Sequence, residues 1–149
     1  MKKRLRYFFI LISMAFLFSC ASGVPFTELN PSLDPELSNT GRIFFYRVTG
    51  AAGSAIQPDI RMNGEKIGKS IPQGFFYLDK PAGEYTITTT TEVKRKVSFV
   101  LDEGQTRYIR FRISMGFFAG HVYGELVDPE DAKKEIIKCK YTPPEEKKT

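Results

Sequence analysis

The sequence is short of the residues on which most active-site chemistry depends. Its 149 residues include one histidine, His121, and two cysteines, Cys20 and Cys139. One histidine excludes a His-based metal cluster, and a nucleophile triad would need it to pair with a serine or cysteine that no motif identifies. Two cysteines cannot build a disulfide-rich scaffold or a four-cysteine metal site. The acidic groups Asp102-Glu103 and Asp128-Pro129-Glu130-Asp131 lack the looped spacing of oxygen ligands that calcium needs, and read as turn and helix-cap residues. No cofactor, metal or catalytic residue is therefore expected, and an enzyme ranks behind a structural, interaction or binding module.

Charge of one sign is also scarcer than it first looks. The formal net charge is +5, but Lys2, Lys3, Arg4 and Arg6 sit together at the start. Without residues 1–19 the balance is 18 basic against 17 acidic residues, so the basis for a nucleic-acid reading falls away. Those four charges precede an apolar run, residues 7–18, broken only by Ser13 and followed by Ser19-Cys20-Ala21-Ser22. As a helix the run is roughly 18 Å long, too short for a bilayer core of about 30 Å. A positive start, a short apolar run and a small-residue cleavage region predict a bacterial export signal over residues 1–19.

Leu17-Phe18-Ser19-Cys20 resembles the lipobox of bacterial lipoproteins. The resemblance implies that the Cys20 thiol carries diacylglycerol and that the new amino terminus is acylated in turn, since two or three chains give stable anchoring where one does not. Ala rather than Asp follows Cys20, which implies the outer membrane in preference to the inner one. The alternative is an ordinary secretory signal with a coincidental cysteine at its end.

Residues 20–40 change character: Pro25, Pro31 and Pro35 break any helix and apolar residues occur singly. This predicts a flexible tether with a reach of roughly 25 Å. The competing reading docks Phe26, Leu29, Leu33 and Leu37 onto the folded body as an arm.

The body, residues 41–141, reads as mainly β. Residues 42–48 are apolar on both faces and suit a central strand. Residues 58–62 and 65–69 flank Asn63-Gly64, a strong hairpin signal. Residues 75–79 form the next strand, ended by Pro81-Ala82-Gly83. In residues 84–91, Tyr85, Ile87 and Thr89 alternate with threonines, and in 97–101 the alternation continues. In 106–113, Arg107, Ile109, Phe111 and Ile113 share one parity, leaving Thr106, Tyr108, Arg110 and Arg112 for a wet face. A last strand falls within 117–123. Strands at this spacing predict a single antiparallel β-sandwich-like domain. One short C-terminal helix follows, with Asp128 as N-cap, Pro129 in the first turn, and Ala132, Ile136 and Cys139 on one apolar stripe. Residues 142–149 read as a disordered charged tail.

The segments Gly41-Arg42-Ile43-Phe44-Phe45-Tyr46-Arg47, Asn63-Gly64, Gly74-Phe75-Phe76, Pro81-Ala82-Gly83-Glu84-Tyr85, Gly104-Gln105-Thr106 and Leu126-Val127-Asp128-Pro129 together resemble the bacterial lipoprotein family known as domain of unknown function 2846. The resemblance implies an exported, lipid-modified protein and no particular activity. The Asn-Gly hairpin and the Pro-x-Gly-x-Tyr turn are more loosely similar to PEGA-type sandwich modules.

Three further features bear on partners. Lys94, Arg95, Lys96, Arg110 and Arg112 form a candidate patch for an anionic envelope partner, or else a solvated hairpin and an edge protected by charge. The adjacent aromatics Phe44-Phe45-Tyr46, Phe75-Phe76-Tyr77 and Phe117-Phe118 are either buried by two layers or partly exposed to a protein partner. Cys139 reads as a packed helix-face residue, with an intermolecular disulfide as the alternative. The resulting expectation is a lipid-anchored, non-enzymatic structural or interaction module of the cell envelope, bound to the membrane through Cys20. The alternative is a periplasmic binder of a small, glycan or anionic ligand.

Overall fold

A computed structural model describes residues 21–29, 39–48, 54–115 and 120–145. The expected signal segment 1–19, Cys20, Leu33, Leu37, Phe117, Phe118 and the last four residues lie outside this range.

Two sheets form a sandwich. The first has the order β8-β7-β1-β4-β9 and the second β3-β2-β5-β6. The strands are β1 (Thr40–Tyr46), β2 (Asp59–Met62), β3 (Glu65–Lys69), β4 (Gly74–Pro81), β5 (Gly83–Thr89), β6 (Glu92–Leu101), β7 (Thr106–Met115), β8 (Gly120–Val127) and β9 (Lys140–Tyr141). A short helix α1 (Phe26–Leu29) precedes them, and α2 (Pro129–Ile136) joins β8 to β9.

Local chemistry accounts for much of this. Asn63 and Gly64 have φ of 50° and 86°, the left-handed pair that a tight turn matched to strand twist requires, and they join β2 to β3. Ile87 and Thr89 of β5 point into the sandwich, as their alternation predicts. The Asp128 carboxylate accepts the Glu130 N–H at 3.0 Å, capping α2.

Between the sheets lies an aliphatic and phenylalanine core that includes Ile43, Phe45, Phe76, Ile109, Phe111 and, from the second sheet, Ile60, Ile87 and Leu101. β1, apolar on both faces, lies at the centre of its sheet with six consecutive buried residues. Its outer face is covered separately: Phe44, Tyr46, Phe75 and Tyr108 pack under Ala132, Ile136 and Cys139.

The five-stranded sheet is mixed, because β1 runs parallel to β7 and β4 parallel to β9, whereas the four-stranded sheet is antiparallel. A second difference from expectation concerns β7. Tyr108, assigned to a wet face, is 1% exposed because α2 folds back over it. Residues 142–145 also depart from the expected disordered tail. The Thr142 N–H reaches the Phe75 carbonyl at 2.8 Å and the Glu145 N–H reaches the Ile67 carbonyl at 3.1 Å, so the segment bridges the edges of the two sheets.

Candidate functional site

The segment that follows Cys20 is part of the folded body. Ala21 is buried and donates its N–H to the Pro72 carbonyl at 3.1 Å. Val24 accepts the Tyr141 N–H at 2.7 Å, Pro25 bridges to Lys140, and the Phe26 N–H reaches the Cys139 carbonyl at 3.0 Å. Residues 21–26 thus lie along β9 as the outermost ribbon of the first sheet. Phe26 completes the docking with edge-on contacts to Phe44 and Phe75, ring centroids 6.1 and 5.1 Å away. Gly23 permits the close approach, since a Cβ there would sit 1.8 Å from the Tyr141 carbonyl oxygen. The start of the expected tether is therefore the docked-arm alternative, with Leu29 exposed. Sequence reasoning missed Gly23 because its requirement comes from a strand more than a hundred residues away.

The surface receiving Ala21 is held from inside by Arg47. This side chain is 1% exposed and donates to the carbonyls of Ile56 at 2.6 Å and Ser70 at 2.9 Å, while the Arg47 N–H reaches the Gly74 carbonyl. It ties the 54–58 loop to the β3–β4 connection and so fixes the turn that presents the Pro72 carbonyl. Burial draws its pKa down from the usual guanidinium value.

A second buried cation lies on the outer face. Arg42 forks onto Asp79, directly opposite on β4, at 2.6 and 2.7 Å, and its guanidinium stands 4.4 Å from the Tyr77 ring centroid. The pair was legible only once β1 and β4 were paired, since opposite charges facing each other across strands are a tertiary signal.

The five basic residues of the candidate anionic patch are not equivalent. Arg110 is bound by Glu125 and Glu135, and Arg112 by Glu125. Burial works against the Arg110 charge, but those carboxylates outweigh it and raise its pKa. Tyr46 joins the same network, its hydroxyl donating to Glu135 at 2.8 Å, and burial, then that hydrogen bond, push its pKa up. Arg95 stacks on Tyr123, 4.7 Å from the ring centroid, and Lys96 is exposed. The Lys94 side chain lies outside the described residues. The structure brings Arg110 and Arg112 together around Glu125, and Arg95, though on β6 of the second sheet, reaches across to Tyr123, the β8 residue opposite Arg112, while Lys96 lies exposed on β6.

His121 Nδ1 lies 2.7 Å from the Thr91 carbonyl, joining β8 to the β5–β6 turn. The Cys139 thiol is buried and donates toward the Arg47 carbonyl at 3.7 Å, and burial pushes its pKa up to about 12. A buried thiol held protonated in this way is a poor nucleophile. A surface groove of about 440 Å³ is lined by Glu65, Lys66, Ile67, Leu78, Lys80 and Glu145, where Lys66 bridges Asp59 and Glu145. A smaller one of about 250 Å³ lies between Arg107 and Pro129. Neither combines tyrosine and arginine in its lining, the pairing that would favour a glycan binder. Among the described residues no group of three metal-ligating side chains occurs, and no helix is long and apolar enough to cross a membrane.

Comparison with known sequences adds a family and one curated relative. The sequence profile described as "Protein of unknown function (DUF2846)" matches residues 37–123. An uncharacterized protein of Haemophilus influenzae is 31% identical over 135 residues, covering 86% of this chain and 79% of the relative. No solved structure matches.

Proposed function

Starting from the fact that this chain belongs to the family described as Protein of unknown function (DUF2846), we propose that it is a lipid-anchored protein of the cell envelope acting as a non-enzymatic structural or protein-interaction module. The observation that carries this reading is the junction at residue 20. A positive start, a short apolar run and Leu17-Phe18-Ser19-Cys20 lead, one residue later, into Ala21, which is buried against the body. An acyl group carried by that cysteine would be joined to a folded domain with no spacer between them, which supports the reading.

The module reading is supported by the use made of the reactive side chains. His121 and Cys139 serve packing and strand-to-turn contacts, and Arg42 and Arg110 are committed to carboxylates. Ala21 after Cys20 favours the outer membrane over the inner one.

The test is expression of the full chain in a bacterium with two membranes, followed by membrane fractionation and mass measurement of the amino-terminal peptide. The expected peptide begins at residue 20 and carries acyl chains, and Cys20→Ala releases the domain to the soluble fraction. An unmodified Met1 peptide on a soluble protein sinks the proposal.

A further inference from the structure

The sandwich has two ends with different residues. One end, here the anchor end, carries the β3–β4 and β5–β6 connections, the end of β1 and the junction from α2 into β9. The far end carries the Asn63-Gly64 turn, the β4–β5 and β6–β7 connections, the start of β1 and the start of α2. Ala21, hydrogen-bonded to Pro72 in the β3–β4 connection, belongs to the anchor end. One peptide unit spans about 3.8 Å between Cα atoms, so a group carried by the residue before Ala21 would be joined to the body at that end.

Charge follows the same axis. Lys69, Lys138 and Lys140 are exposed at the anchor end and Arg95 and Lys96 lie in the nearer half of β6, outnumbering the exposed Glu28 and the half-buried Glu92 there. Glu84, Asp102, Glu103 and Asp128 are exposed at the far end, where Glu130 and Asp131 are paired with Lys133 and Lys134 and Arg61 is exposed beside the Asn63-Gly64 turn. A body with this polarity is oriented by a negatively charged surface, with its lysine end inward and its acidic end outward, over about a Debye length.

We propose that the anchor end rests directly on an anionic lipid bilayer, so that the domain stands on its β3–β4 end with the Asp102-Glu103 turn farthest from the membrane. The inference rests on acylation of Cys20 and adds to it an orientation, set by the docked residues 21–26 and reinforced by the lysines. The occupant of the anchor end is thus a phosphatidylglycerol-containing lipid surface. The docked ribbon is what separates this arrangement from that of a body on a loose string, which would sample all orientations.

The test uses the full acylated chain in vesicles of phosphatidylethanolamine and phosphatidylglycerol carrying a headgroup nitroxide. Thr90→Cys and Glu103→Cys, exposed turns at opposite ends of the second sheet, each carry a fluorophore, Cys139 staying unlabelled because it is buried. The expected result is quenching at position 90 several-fold stronger than at position 103. Gly23→Val, which drives a side chain into the Tyr141 carbonyl and undocks the ribbon without touching residues 17–20, brings the ratio close to one. The amino-terminal peptide mass is measured on the same samples. Acyl chains present with equal quenching at both ends, or a ratio unchanged by Gly23→Val, overturn the orientation alone. Absence of acyl mass overturns the anchoring and this inference together.

Discussion

The two faces of the five-stranded sheet are built on different principles. The inner face is Ile43, Phe45, Phe76, Ile109 and Phe111, apolar side chains that need only an apolar layer opposite. The outer face alternates Phe44, Tyr46, Phe75 and Tyr108 with Arg42, Asp79 and Arg110, so it needs specific partners as well as cover. α2 supplies Glu135 as well as Ala132 and Ile136, and the ribbon at 21–26 supplies Phe26. The inner face makes the sandwich, and the outer face joins both ends of the chain to it. Burial alone would not distinguish them, since Phe44 and Phe45 are 0% and 1% exposed.

The largest effect that would break the contrast is on the inner face. Phe45→Ala, stacked on Phe76 at 4.9 Å, is expected to cost about 3–5 kcal/mol by transfer and cavity terms, read as a fall in the urea midpoint at unchanged slope. A cost below about 1 kcal/mol would mean that the inner layer is loosely packed.

On the outer face the comparable experiment is electrostatic. Arg42→Met leaves the Asp79 carboxylate facing the sheet without its fork, and the expected loss is about 3 kcal/mol. Combining it with Asp79→Leu should recover part of that loss, and failure to recover would assign the effect to packing against Tyr77 instead of to the stranded charge.

Alkaline pH sharpens the comparison further, because the buried thiol and phenols of Cys139, Tyr46 and Tyr108 are on the outer face. Burial raises the Cys139 thiol from 9.0 to about 12. From about pH 9 the unfolded chain releases a proton that the folded chain keeps. The stabilisation is complete below that pH and is lost as pH climbs toward the folded value, by about 1.4 kcal/mol per pH unit. Tyr46, also raised, adds the same sign of change above its ordinary 10.0. Cys139→Ala is expected to delay the onset of alkaline destabilisation by about one pH unit, checked by urea midpoints between pH 8 and about 11.

Two smaller effects complete the series. Asp128→Ala removes the cap of the covering helix and is expected to cost about 1 kcal/mol. Tyr108→Phe deletes a buried hydroxyl that has no hydrogen-bond partner among the described residues, and is expected to be neutral or stabilising by up to about 1 kcal/mol. A clear loss would show that the hydroxyl is satisfied in solution, for instance by water.

What could be read from the sequence divides along the same line. Strand cores with period-two alternation, the Asn63-Gly64 turn and the Asp128-Pro129 helix start depend on neighbours in the chain, and their residue types announced them. The two-faced apolar character of β1 announced a central strand. What covers its outer face depends on segments at both ends of the domain. Nothing near Tyr108 says that α2 returns over it, and nothing near Arg110 says that Glu125 and Glu135 arrive opposite. Residues 21–26 read as a spacer because their apolar residues occur singly. The ribbon forms through backbone hydrogen bonds to β9 and the bare Cα of Gly23, which carry no hydrophobic signature. Residues 142–145 escaped notice for the same reason.

The parallel pairing of β1 with β7 has a kinetic consequence. Phe44 aligns with Tyr108, and neither flank of the central strand is in place until β4 and then β7 have been delivered from far along the chain. Closing such distant pairs first costs loop entropy that local contacts do not repay, so the domain should collapse slowly, on the millisecond-to-second scale of high-contact-order β folds. Under the proposed export, such a delay would leave the chain time to be threaded through a translocation pore before its central strand is locked on both sides.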